Sequence, residues 1–206
     1  MAFTDFKSIR QVQEAFDIRY TEADYIQYEN VEPSKAFLEE FEFSQRHINV
    51  FSSEAARCEN VIYPVLRDVY KNYVEWFSLW SHESISYDTE LSGTPDYLVS
   101  TKSALGKTVP GVPILIVVEA KRNDFVMGWG QCLAELVAVQ KINNDALKQV
   151  YGIVTDGTLW QFGKLVKDLF TLSETALTIN ELKKVFGAIG YLMRDSLPKN
   201  QEIKHP

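Results

Sequence analysis

The spacing of apolar positions changes period several times along the chain. Phe6, Ile9, Val12 and Phe16 recur at helical intervals. Tyr20 to Tyr28 is rich in aromatics and fits no single period. Pro33-Ser34 opens a second helical stretch through Phe41 to Phe43, so residues 1–50 read as mainly helical. Ser52 and Ser53 are N-cap residues for a helix from Glu54 to about Trp76. Its apolar stripe is Cys58, Val61, Ile62, Val65, Leu66, Val69 and Tyr73, and Pro64 is expected to kink or split it. Glu54 lies four residues before Cys58 and seven before Val61, which predicts a place on the buried face; Glu59 falls off it.

The period then shortens. Ile85 to Leu91 alternates and predicts a half-exposed strand that pairs with the next through Ser92-Gly93-Thr94. Tyr97 to Ser100 follows Pro95, which a strand tolerates at its start. Ile114 to Val118 is a continuous β-branched and leucine run, too short for a buried helix and suited to a central strand covered on both faces. Gly106, Pro110 and Gly111 mark the loop between these two. A helix is expected from about Trp129 to Ile142, then a linker, then a buried strand over Val150–Thr155. Asp156-Gly157 signals a hairpin into Thr158–Phe162, with Leu165–Leu172 as an edge strand and Ile179–Arg194 as a last amphipathic helix. The pattern predicts one α/β domain over residues 1–206: a helical cover (1–50), a mixed central sheet flanked by helices (51–195) and a polar tail (196–206).

Composition narrows the function. The 206 residues, 46% hydrophobic and 24% charged, suffice for one domain with a substantial core. No apolar run approaches the roughly 20 residues of a membrane span, and no basic-then-apolar leader opens the chain. The expectation is a cytoplasmic protein without a membrane partner. Cys58 and Cys132 fall in helical patterns as buried free thiols, and His47, His82 and His205 show no metal-ligand spacing. A net charge of −7 counts against bulk electrostatic attraction to nucleic acid. It leaves room for a small basic cleft, with Lys102, Lys107, Lys121 and Arg122 as its candidates, or for docking on a larger assembly. There is no phosphate-loop motif and no helix-turn-helix or zinc-finger reader.

The candidate chemistry lies between Gly93 and Gln131. If the 97–100 and 114–118 runs form an antiparallel hairpin, Asp96 falls opposite position 118 or 119 and meets Glu119. Lys121, two residues on, shares the face of Glu119. Two carboxylates beside apolar strand interiors are costly unless a cation joins them. Mg²⁺ suits such a site, because it takes one or two carboxylates and completes its shell with water and phosphate; Mn²⁺ is a substitute.

Pro95-Asp96 and Glu119-Ala120-Lys121, followed by a helix carrying Gln131, resemble the PD-(D/E)xK nuclease superfamily. The resemblance implies a restriction-endonuclease-like core and Mg²⁺-dependent hydrolysis of DNA, with RNA as an alternative substrate. It implies Asp96, Glu119 and the Ala120 carbonyl as metal ligands. Lys121 would orient the attacking water and stabilise charge on the phosphate, or take the water's proton if its pKa were lowered. Gln131 would help orient that water. Glu54 would be the accessory acid of the first helix, with Glu90 as a second candidate. Glu54-Ala-Ala-Arg57 with Ile62 and Pro64, and Tyr151-Gly-Ile-Val-Thr-Asp-Gly with Trp160-Gln-Phe, resemble the nuclease domain of type I restriction enzyme motor subunits. That implies a restriction or other defence role. The rival expectation is a catalytically silent module of the same fold that binds nucleic acid or protein. A protein partner or a homodimer fits either.

Overall fold

Seven consecutive buried residues, Ile114 to Ala120, form the middle of the sheet. The computed structural model describes residues 2–198; the greater part of the predicted polar tail lies outside them. In chain order the strands are β1 (Arg19–Glu22), β2 (Phe77–Ser81), β3 (Ile85–Ser86), β4 (Ser92–Gly93), β5 (Tyr97–Thr101), β6 (Ile114–Ala120), β7 (Val150–Thr155), β8 (Leu159–Val166), β9 (Leu169–Leu172) and β10 (Leu177–Thr178). The helices are α1 (Ile9–Phe16), α2 (Lys35–His47), α3 (Glu54–Arg57), α4 (Tyr63–Tyr70), α5 (Phe125–Ile142) and α6 (Leu182–Asp195). Eight strands make one mixed sheet in the order β1-β9-β8-β7-β6-β5-β2, with β10 also on β8. The pairs β6–β7 and β1–β9 are parallel and the others antiparallel. The protein is thus α/β with a mixed central sheet flanked by helices. No helix among the described residues is long and apolar enough to cross a membrane.

Strand alternation divides the core in two. Ile116 and Val118 face a cluster closed by α2, α4 and α6, while Val117 faces one closed by α1 and α5. α5 is buried continuously from Gly128 to Val139, because the sheet covers one side of it and residues 3–16 cover the other. Its seat is a slot in the sheet. Gly152 and Gly163 lie opposite each other in register, and a Cβ on either would collide with the Trp129 indole at 3.2 and 2.8 Å.

Several expectations are corrected. The helix from Glu54 is split ahead of Pro64, as expected, and its helical run ends at Tyr73 rather than Trp76. Pro64 has no N–H for the Asn60 carbonyl and its ring crowds that group. The ladder widens into a π turn over 58–62, where the Tyr63 N–H reaches the Cys58 carbonyl, and helix resumes as α4. Ile85–Leu91 is not a sheet strand: β3 and β4 form a two-residue pair around a turn in which Asp88 accepts from the Glu90 and Leu91 N–H groups. The strand beside β5 is instead β2. α5 begins at Phe125, four residues before the expected start, with Asp124 accepting from the Met127 N–H as its cap. The 165–172 run is split by a turn with Lys167 in the left-handed region, and neither piece is a free edge, since β9 pairs with β1. Residues 19–22 of the expected helical cover are that edge strand.

Candidate active site

The β5–β6 hairpin has the expected register. Tyr97 lies opposite Val118, with a bulge between Val99 and Ser100, so Asp96 faces Glu119 and Pro95 faces Ala120. Pro95 determines what the strand end offers. The Ala120 N–H turns to the Asp96 carboxylate, donating to Oδ2 at 2.7 Å. The N–H and C=O of one strand residue point to the same side, so the Ala120 carbonyl also faces β5. Opposite it stands a proline with no N–H to donate. A backbone acceptor is thereby released from the ladder beside Asp96. On its other side the Asp96 carbonyl accepts from the His82 N–H at 2.8 Å, which ties β5 to the end of β2.

Glu119 alternates with Val118 and therefore points to the α5 side of the sheet, as does Lys121. Lys121 Nζ meets Glu119 Oε1 at 2.5 Å, with the lysine side chain 14% and the glutamate 2% exposed. Gly128 permits this: a Cβ there would lie 3.0 Å from Lys121 Cγ and 2.7 Å from Val154 Cγ1. Burial tends to lower the Lys121 pKa, but Glu119 first, then Glu54 and Asp96, hold it above its ordinary value. In the metal-free protein these neighbours favour the charged form of Lys121. Burial, aided by Asp96 and opposed by Lys121, pushes Glu119 up to about 7.

Beneath Glu119 lies Glu135, which sequence reasoning missed. It is fully buried in α5, four residues from Gln131, whose Nε2 donates to Glu135 Oε1 at 3.3 Å. Glu119 Oε2 and Glu135 Oε2 are both buried without a partner when both groups are ionised. A proton on Glu135 lets its hydroxyl donate to Glu119 and resolves both. Burial and the Glu119 charge push Glu135 well up, in agreement with that state. Gln131 is therefore buried against Glu135 rather than turned to solvent.

Asp96 also borders a cleft of about 470 Å³, between α3, the π turn and the start of α4 (Glu54, Cys58, Tyr63) and the ends of β2 and β5 (Ser81, His82, Tyr97). Arg57 fixes α3 over the sheet end by donating to the Asp156 carbonyl at 2.8 Å. Glu54 is exposed at the cleft wall, not on a buried face, and reaches Lys121 only through its field. Glu90 lies exposed on the β3–β4 turn and lines no part of the cleft. Burial pushes the Cys58 thiol up to about 11 against a Tyr97 hydrogen bond, so it is no thiolate nucleophile. The expected basic cleft does not assemble. Lys102 and Lys107 lie in the loop at the far end of β5, roughly 17 Å from Asp96, and Arg122 is exposed. His82, the other residue missed in the sequence, sits with Nε2 3.5 Å from Asp96 Oδ1.

Asp96, Glu119 and the Ala120 carbonyl are the oxygen donors brought to this strand end. Among the described residues no three Asp, Glu, His or Cys side chains group as a metal cage. A hard divalent ion that keeps much of its water needs only this smaller set.

The carboxylate pair has a thermodynamic signature. Unfolded glutamate ionises near 4.5, whereas folded Glu119 keeps its proton to about 7. Across that window the folded state holds protons that the unfolded state has released, so stability falls as pH rises from about 4.5; Glu119's share of the fall ends near 7, and Glu135, which keeps its proton longer, continues it. Glu119 alone is expected to cost the metal-free protein on the order of 3 kcal/mol over this range. Glu119→Gln, which removes the titrating group, should remove Glu119's share of that slope. Thermal melts in chelator across the range check this; an unchanged slope in the variant would assign it elsewhere. No protein-family model and no curated protein sequence matches this chain.

Proposed function

We propose that this chain is a Mg²⁺-dependent phosphodiesterase acting on DNA, built on a restriction-endonuclease-like core. The observation that carries this is the junction of Asp96, Glu119 and Lys121 around the Ala120 peptide, at the ends of two adjacent strands. Asp96, Glu119 and the Ala120 carbonyl would hold the cation. When bound, it acidifies a water and withdraws charge from the phosphate. Lys121, kept protonated by its carboxylate neighbours, donates to the attacking water or to the phosphate oxygen that gains charge. Attack by the water forms one P–O bond as the P–O bond to the leaving oxygen breaks; the water's proton passes to solvent and the departing oxygen takes a proton from solvent. Gln131 and Glu135 hold Glu119 from beneath. Glu54 extends the acidic wall of the cleft. Three carboxylates border this cleft, and the net charge is −7. A protein partner that brings DNA affinity fits such a surface.

The test is cleavage of supercoiled plasmid and of single-stranded DNA with Mg²⁺ or Mn²⁺, comparing wild type with Asp96→Asn and Lys121→Ala. Wild type alone should cleave. Equal cleavage by Asp96→Asn would overturn the site, and silence of all three would favour a binding module.

A further inference from the structure

His82 carries its ring on a backbone of φ +52°, in the left-handed region that β-carbon residues avoid. The strain is held in place. The backbone N–H is bound to the Asp96 carbonyl, Ser81 Oγ lies 2.9 Å from Nδ1, and the ring stands edge-on to Tyr97 with centroids 5.9 Å apart. The remaining ring atom, Nε2, borders the cleft 3.5 Å from Asp96 Oδ1, long for a hydrogen bond. Ser81 as donor to Nδ1 leaves the proton on Nε2 in the neutral ring. Among the side chains that border the cleft, Glu54, Glu59 and Asp96 are acids and His82 alone can carry positive charge. A strained residue with one uncommitted donor at the edge of a carboxylate-lined cleft is placed for a ligand rather than for the fold.

We propose that His82 contacts the substrate, its Nε2–H donating to a phosphate oxygen of the nucleic acid strand that lies in this cleft, a role which rests on the nuclease reading above. The donation needs only the neutral ring. It supplies the attractive contact that the acidic walls lack, and it anchors the strand next to Asp96.

Three substitutions separate this from a structural role. His82→Phe keeps the ring on Tyr97 but has no donor. His82→Gly relieves the left-handed backbone. His82→Gln returns an N–H near the position of Nε2. Binding of a labelled 20-mer, duplex and single-stranded, is measured by anisotropy with Ca²⁺ present, and cleavage with Mg²⁺ in parallel. Phe and Gly should weaken binding and raise KM about 10-fold, the loss expected for one hydrogen bond to a charged oxygen. kcat should move less, and Gln should recover most of the loss. Gly should melt no lower than wild type. Binding and KM unchanged in Phe and Gly while wild type cleaves would overturn the role of His82 and leave the nuclease standing. A wild type that neither binds nor cleaves either oligonucleotide would overturn both. Loss of binding in all three variants, Gln included, would show that the ring's packing and not its donor matters, which also overturns it.

Discussion

Glu119→Gln is expected to abolish cleavage and at the same time to raise the melting temperature of the metal-free protein. The side chain keeps its shape but loses the charge that would hold a cation. Metal-based stabilisation of the transition state is worth several kcal/mol, so the rate should fall by roughly 10³-fold or more. Stability moves the other way. The folded pKa of about 7 already includes the attraction of Lys121, so above that pH ionised Glu119 is a net cost against burial and Asp96. A neutral isostere removes the cost, a gain of about 1–3 kcal/mol. Mg²⁺ should raise the wild-type melting temperature by mass action and leave the variant unmoved. Cleavage at the wild-type rate by Glu119→Gln would sink the assignment. Lost cleavage with a lower melting temperature in chelator would mean that the ion pair with Lys121 stabilises the fold.

Trp129→Ala should be the most destabilising single change near the site, by about 3–5 kcal/mol. The indole is 3% exposed and fills the slot over Gly152 and Gly163. It packs on Phe170 with ring centroids 5.5 Å apart, and its Nε1 donates to Gln161 Oε1 at 2.7 Å. The floor of the slot is backbone, with no side chain on either glycine to swing into the space, so the cavity would persist. Trp129 lies two residues from Gln131 on α5, and loosening it frees the helix that supports Glu119 from below. Urea unfolding of wild type, Trp129→Ala and Trp129→Phe checks this. Phe should lose less than Ala, because it keeps most of the ring contact and forfeits only the Gln161 bond. A loss under about 1 kcal/mol in Trp129→Ala would mean that α5 is seated by other contacts.

The β5–β6 hairpin and its register were legible because the evidence was local: a β-branched run, a carboxylate at the matching end of each strand, and a Gly/Pro loop between them. β2 was not legible for the opposite reason. Phe77–Ser81 follows a helical stripe without a break, and only its pairing with β5 makes it a strand. His82 escaped because ligand spacing is a test along the sequence, whereas its role depends on a left-handed backbone and on Asp96 across a strand pair. Glu135 left a signal that could have been read. It is a lone acid in an otherwise apolar helix, one turn from Gln131, and a helix apolar on all sides is covered on both, so the acid within it is buried too. Lys102 and Lys107 are close to Lys121 in sequence but a strand length away in space. Nearness along the chain misled where the hairpin separates its two ends.

β1 joins the sheet in parallel beside β9, and the bidentate pair between Arg19 and Asp168 spans 149 positions of the chain. On the ribosome β1 is made 149 residues ahead of its partner and waits for it. At 5–20 residues per second that wait is about 10–30 s. In that interval the strand has no neighbour to pair with, and Ile18 beside it, buried in the finished fold, stays exposed. The pieces that form the cleft, β2 with β5 and β5 with β6, close over much shorter loops and need none of this delay. Synthesis would therefore build the cleft end of the sheet before it seals the β1–β9 edge.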